Sequence, residues 1–127
     1  GATVLVHGLE AGTAEPVAAE IVEAGGDAHA VTGDIRTDDG AKQVATEVDA
    51  LGPLDILINN YGTADRASWV SADSEAWHEA YDVNVLSAVR MVRHFMAPMK
   101  ERGWGRIIQL GTIGSTTPAA RMPHYYS

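Results

Sequence analysis

A hydroxyl and a phenol that meet at one carbonyl oxygen can hold it and exchange a proton with it. The sequence offers both groups. Thr112 follows an apolar run, and Tyr125 stands 13 residues further on with Tyr126 beside it. A phenol serves as acid or base only when its pKa, ordinarily about 10, is pulled down. A hydroxyl can hydrogen-bond a developing oxyanion and orient it. Taken singly, Thr112 also reads as a turn residue, and either tyrosine as a surface aromatic. Asn59-Asn60-Tyr61-Gly62 follows another apolar run directly. Asparagine supplies donors and acceptors that fix a loop, and Gly62 lets a backbone or a ligand approach closely. An ordinary Asn-rich turn is the plain alternative. Asn84 lies along an apolar stripe of Trp77, Tyr81, Val85, Ala88, Met91, Val92 and Phe95. A buried amide needs partners. From its helix position Asn84 reads as structural, satisfied by a carbonyl or water; the functional alternative is a polar node near a sheet edge.

These residues need elements to position them. Val4-Leu5-Val6 suits a strand closed by His7-Gly8. Ala14, Val17, Ala18, Ile21 and Val22 recur at helical spacing, with Pro16 in the first turn and Gly25-Gly26 at the end. Ala28 to Val31 reads as a second strand, closed by Gly33-Asp34. Ala41, Val44, Ala45, Val48 and Leu51 mark a second helix, stopped by Gly52-Pro53. Ile56-Leu57-Ile58 is a third strand before Asn59-Asn60. One long helix is expected from about Ser74 to about Arg102, and a fourth strand over Ile107 to Leu110 ends at Gly111-Thr112. The strands lack in/out alternation, which suits a parallel sheet covered on both faces. Strand–helix alternation with short turns predicts an open, doubly wound α/β sheet. In such sheets the ligand crevice lies beyond the carboxyl ends of the strands, where His7-Gly8, Gly33-Asp34, Asn59-Asn60 and Gly111-Thr112 gather.

Nine Lys and Arg against seventeen Asp and Glu give a net charge of −8. That surface repels phosphate backbones, so nucleic acid is not an expected partner; a helix N-terminus can still bind a small anion. The absence of cysteine excludes disulfides and thiolate metal sites and fits a cytoplasmic location. No metal site is expected. No apolar run approaches a membrane span, and no signal-peptide pattern opens the chain. Gly1-Ala2 leads straight into strand residues, and Tyr125-Tyr126-Ser127 carries no stop signal. The chain therefore reads as a fragment.

In order and spacing these residues resemble the short-chain dehydrogenase/reductase family. Gly33-Asp34-Ile35 is similar to the family's Asp-plus-aliphatic pair, where the Asp side chain and the next backbone group hold adenine. Asn59-Asn60-Tyr61-Gly62 resembles its Asn-Asn-Ala-Gly motif, and Asp82-Val83-Asn84-Val85 the segment with the catalytic Asn. Gly105 to Thr112 resembles the strand leading to the catalytic Ser, and Pro123 to Ser127 the run into Tyr-x-x-x-Lys. The resemblance spans essentially the whole chain. It implies a single, incomplete NAD(P)-binding, Rossmann-like domain over residues 1–127. Val4-Leu5-Val6 then corresponds to the family's second strand. The first strand, the glycine-rich turn and the catalytic Lys lie outside the sequence. Without the first strand the sheet loses a central member and exposes long edges, so a parent molecule is expected to supply it.

The resemblance implies reversible hydride transfer between NAD(P)H and a carbonyl/alcohol pair. Tyr125 is then the acid, with Tyr126 the runner-up. Thr112 orients the oxygen, and Asn84 anchors a water chain. Gly8, Asp34, Ile35, Asn60, Gly62 and Tyr125 are the implied cofactor contacts. Two positions depart from the pattern: Thr112 replaces Ser, and Tyr61 replaces a small Ala. Gly8 stands where an acid would repel a 2′-phosphate. NADP is therefore preferred over NAD, with His7 or an upstream basic residue completing the pocket. The long helix implies a homodimer or homotetramer. The competing readings are a catalytically impaired dinucleotide-binding sensor or scaffold, and an unrelated flavodoxin-like α/β domain.

Overall fold

The computed structural model describes residues 1–117 and 121–126. Its elements run β1 (Thr3–Gly8), α1 (Glu15–Glu23), β2 (Asp27–Thr32), α2 (Asp38–Leu51), β3 (Ile56–Asn59), α3 (Ser74–Tyr81), a π-helical turn (Asp82–Leu86), α4 (Ser87–Glu101), β4 (Arg106–Gln109), a 3₁₀ turn (Ile113–Ser115) and α5 (Pro123–Tyr126).

Local chemistry accounts for the boundaries. Gly25 takes φ +85° after α1. There the Gly26 N–H donates to the Ile21 carbonyl and the Gly25 N–H to the Val22 carbonyl, both at 2.9 Å. This paired closure satisfies two carbonyls that the helix end would otherwise leave open. The Thr37 hydroxyl accepts from the Gly40 N–H at 3.0 Å and caps α2, whose first turn carries Asp38 and Asp39. Those carboxylates complement the positive end of the helix dipole.

β1 pairs in parallel with β2, from Thr3 opposite Asp27 to Gly8 opposite Thr32. β3 pairs in parallel with β4, from Ile56 opposite Arg106 to Asn59 opposite Gln109. The two pairs are not hydrogen-bonded to each other and form two separate two-stranded sheets. α1 packs on β1 and β2, α2 packs on β2 and on α4, and α4 packs on β3 and β4. The core joins Val31, Ile35, Ala41, Val44, Ala45, Val48, Leu57, Met91, Phe95 and Met99. The α/β parallel architecture expected from the sequence is thus present, with helices on both faces. Complete coverage of the strands is not: Val4 is 41% exposed, Ile56 47% and Ile58 58%. These side chains lie on β1 and β3, which like β2 and β4 pair on one side only.

The single long helix expected from about Ser74 to about Arg102 is broken by the π turn. The Ser87 N–H donates to the Asp82 carbonyl, five residues back. One additional residue in the turn rotates everything after it relative to what precedes it. The buried line is consequently Val83, Ser87, Met91, Phe95 and Met99. Tyr81 and Val85, expected on the apolar stripe, are 57% and 37% exposed. Buried Ser87 donates its hydroxyl to the Val83 carbonyl at 2.6 Å.

Candidate active site

Within each pair the strand ends stay in register. The Gly33 N–H donates to the Gly8 carbonyl at 3.1 Å, and the Leu110 N–H to the Asn59 carbonyl at 3.0 Å. Each bond carries strand pairing one step further, so Gly8 and Gly33 align on one sheet and Asn59 and Leu110 on the other. A Cβ on Gly8 would strike the Thr13 side chain and lie 3.1 Å from the Ala14 nitrogen. The turn into α1 folds directly over that glycine. His7 Nε2 lies 2.8 Å from the Gly33 carbonyl. A carbonyl only accepts, so Nε2 carries the proton and is spent on β2. The sequence reading left His7 available for a phosphate; the structure commits that nitrogen to the sheet.

Asp34 leaves β2 toward solvent with its carboxylate gripped by Arg36. Oδ1 accepts from the Arg36 backbone N–H at 3.0 Å and from Nε at 2.8 Å, and Oδ2 accepts from Nη2 at 2.8 Å. The guanidinium holds the Asp34 carboxyl below its usual range. Arg36 escaped the sequence reading; the Asp-x-Arg spacing was its only signal. Ile35 is buried in the core, which leaves its backbone as the part able to meet a ligand. Half-buried Tyr61 has its phenol pushed up, chiefly by burial, and so stays neutral at physiological pH.

Asn84 braces the loop after β3. Its Nδ2 donates to the Ala80 carbonyl at 2.9 Å, and its Oδ1 accepts from the Thr63 N–H at 3.0 Å. A Cβ on Gly62 would stand 2.5 Å from that same Oδ1. Asn84 is thus hydrogen-bonded to backbone groups through both atoms of its amide, and the loop it supports is the one singled out by motif. Asn60 is exposed beyond β3. Asn59 buries an Nδ2 that has no partner among the described residues.

Thr112 caps the 3₁₀ turn. Its hydroxyl accepts from the Gly114 N–H at 3.3 Å, and its carbonyl accepts the Ser115 hydroxyl at 2.8 Å. Ser115 is thus turned back on the loop, while the half-buried Thr112 hydroxyl retains donor capacity. The Tyr125 and Tyr126 N–H groups both donate to the Met122 carbonyl, at 3.1 and 3.2 Å. The Met122 N–H donates to the Ala67 carbonyl at 2.7 Å, which ties α5 to the loop after β3. The Tyr126 ring lies against Gly114, where any Cβ would run into it. Tyr125 and Tyr126 rings are 5.1 Å apart. Buried His124 meets Trp77 edge-on at 6.1 Å, and Trp77 meets Trp69 at 5.6 Å.

A dinucleotide fits this edge. Asp34 offers an acidic acceptor with one direction open, and Asn59 a buried amide with no partner among the described residues. A family model for short chain dehydrogenase matches residues 1–127. The chain is 31% identical over 125 residues to the uncharacterized oxidoreductase YvrD of Bacillus subtilis (strain 168), covering 98% of this chain and 47% of that protein. It is 34% identical over 111 residues to an L-rhamnose 1-dehydrogenase (NAD(P)(+)) of Azotobacter vinelandii, covering 86% and 43%. A 3-oxoacyl (acyl-carrier-protein) reductase structure from Agrobacterium tumefaciens with NADP bound superimposes with TM-score 0.92 at 27% identity, covering 99% of this chain and 49% of that one. The chain spans about half the length of the relatives it matches. The strand-end motifs, the fold and the family match over residues 1–127 agree: this chain belongs to the short-chain dehydrogenase/reductase family.

Proposed function

We propose that the protein containing this chain is an oxidoreductase acting on a small-molecule carbonyl/alcohol pair, with Tyr125 as proton donor. A bound nicotinamide dinucleotide supplies the hydride. In the reductive direction Tyr125 gives its phenolic proton to the carbonyl oxygen as the carbon receives the hydride. Thr112 hydrogen-bonds that oxygen and orients it. Asn84 holds the loop around Gly62 and anchors the water that restores the Tyr125 proton. The observation that carries this reading is the seating of α5 on the Thr112 loop. Tyr126 lays its ring on Gly114 with the Tyr125 ring 5.1 Å away; the 13-residue spacing from Thr112 favours Tyr125 as the acid, with Tyr126 the runner-up.

Gly8, Asp34, Ile35, Asn60, Gly62 and Tyr125 are the proposed cofactor contacts. NADP is preferred because Gly8 carries no acid to repel a 2′-phosphate. One observation favours NAD instead: the Glu15 carboxylate accepts from the Gly12 N–H at 2.9 Å and adds negative charge to the turn after β1. The exposed line Tyr81, Val85 and Val89 supports a homodimer or homotetramer. A cytoplasmic location agrees with the cysteine-free composition. Among the described residues no helix is long and apolar enough to cross a membrane.

A catalytically impaired sensor is the second reading, favoured by the methyl that Thr112 adds and by the bulk of Tyr61. The deciding experiment follows NADPH and NADH oxidation by the full-length protein with a panel of ketones. Y125F is expected to lower kcat on the order of 10²- to 10⁴-fold while cofactor binding persists, and Y126F to cost far less. Cofactor binding without turnover on any ketone establishes the sensor reading instead.

A further inference from the structure

We infer that Arg36 is a positioning residue for the adenine end of the cofactor, acting through the Asp34 carboxylate; this rests on the function proposed above. A carboxylate has about four acceptor directions. Arg36 takes three of them: its backbone N–H and Nε on Oδ1, and Nη2 on Oδ2. One direction on Oδ2 is left open. The side chain of Asp34 is 37% exposed and that of Arg36 44%, so the pair sits at the surface just past β2 rather than in the core. A lone exposed carboxylate would rotate among its rotamers and offer either oxygen. The planar guanidinium fork removes that freedom and holds the open direction of Oδ2 in one orientation. An exocyclic amine on a purine is the donor that such a single, fixed acceptor suits. Because the backbone N–H of the same residue also grips Oδ1, the turn after β2 and the carboxylate move as one unit. Lysine has the charge but lacks the fork, so it reproduces the attraction without the orientation.

The test compares two reduced cofactors on full-length protein. NADPH carries the adenine; reduced nicotinamide mononucleotide lacks it. Dissociation constants are measured by fluorescence for the wild type, R36A and R36K. R36A is expected to weaken NADPH relative to the mononucleotide by roughly ten-fold, with R36K between R36A and the wild type. A general loosening of the fold would weaken both cofactors alike, and that result overturns the inference. So does equal NADPH binding by R36A and a wild type that binds well, which leaves the proposed redox function standing. A wild type that binds neither NADPH nor NADH removes the redox reading and the role of Arg36 together.

Discussion

Asp34 and Arg36 show how much one pair can do at the residue scale. The guanidinium favours the ionised carboxylate, so the folded protein holds the Asp34 proton less tightly than the unfolded chain does. A lowered folded pKa contributes stability above the unfolded value and loses it as pH falls through the folded value. With an ordinary Asp value near 3.9, the loss falls below about pH 4. Thermal midpoints of wild type and R36A across that acid range are expected to converge as pH drops. A constant gap between the two curves would mean that Arg36 stabilises by packing instead. The same pair explains why Asp34 was readable from its motif and Arg36 was not. An acid after a buried strand is a recognisable pattern, whereas a fork closing on it from two residues away is visible only as distances.

At the scale of elements, the π turn decides where Asn84 points. The periodicity of Trp77, Tyr81 and Val85 matches an unbroken helix, yet the turn at Asp82–Leu86 shifts the phase. Asn84 then serves both the helix and the loop after β3, accepting from Thr63 while donating to Ala80. Gly62 is the counterpart of that brace. G62A is expected to destabilise the protein by about 1–3 kcal/mol, because a methyl placed 2.5 Å from Asn84 Oδ1 must displace it. In an N84A background the same substitution is expected to cost much less, since the obstructing atom is gone. Chemical denaturation of the four proteins measures the coupling. Equal costs in both backgrounds would show that Gly62 is needed for its own backbone and not for Asn84.

The whole molecule turns on the two separate sheets. β1 and β3 each pair on one side only, and the exposed Val4, Ile56 and Ile58 are the kind of residue a covered parallel sheet buries. Open parallel edges of this sort invite association with other chains. Residues 1–127 produced alone are therefore expected to bind a hydrophobic dye and to form aggregates of no defined size, and the full-length protein to be dye-silent and of one defined size. Light scattering and dye fluorescence at matched concentration read the difference. A monodisperse, dye-silent preparation of residues 1–127 would show that these edges are protected by the chain itself.

Element types and their order were legible because each rests on local rules. Pro16 and Gly25-Gly26 bound α1, Gly52 ends α2, and unbroken apolar runs mark strands that pair in parallel. The strand-end motifs were legible because turn chemistry and glycine contacts act over a few residues. Three features belonged to the tertiary structure alone: the phase shift ahead of Ser87, the grip of Arg36 on Asp34, and the Tyr126 ring against Gly114. Each depends on which groups meet in space. Identical residue spacing is compatible with several such meetings, and packing selects among them.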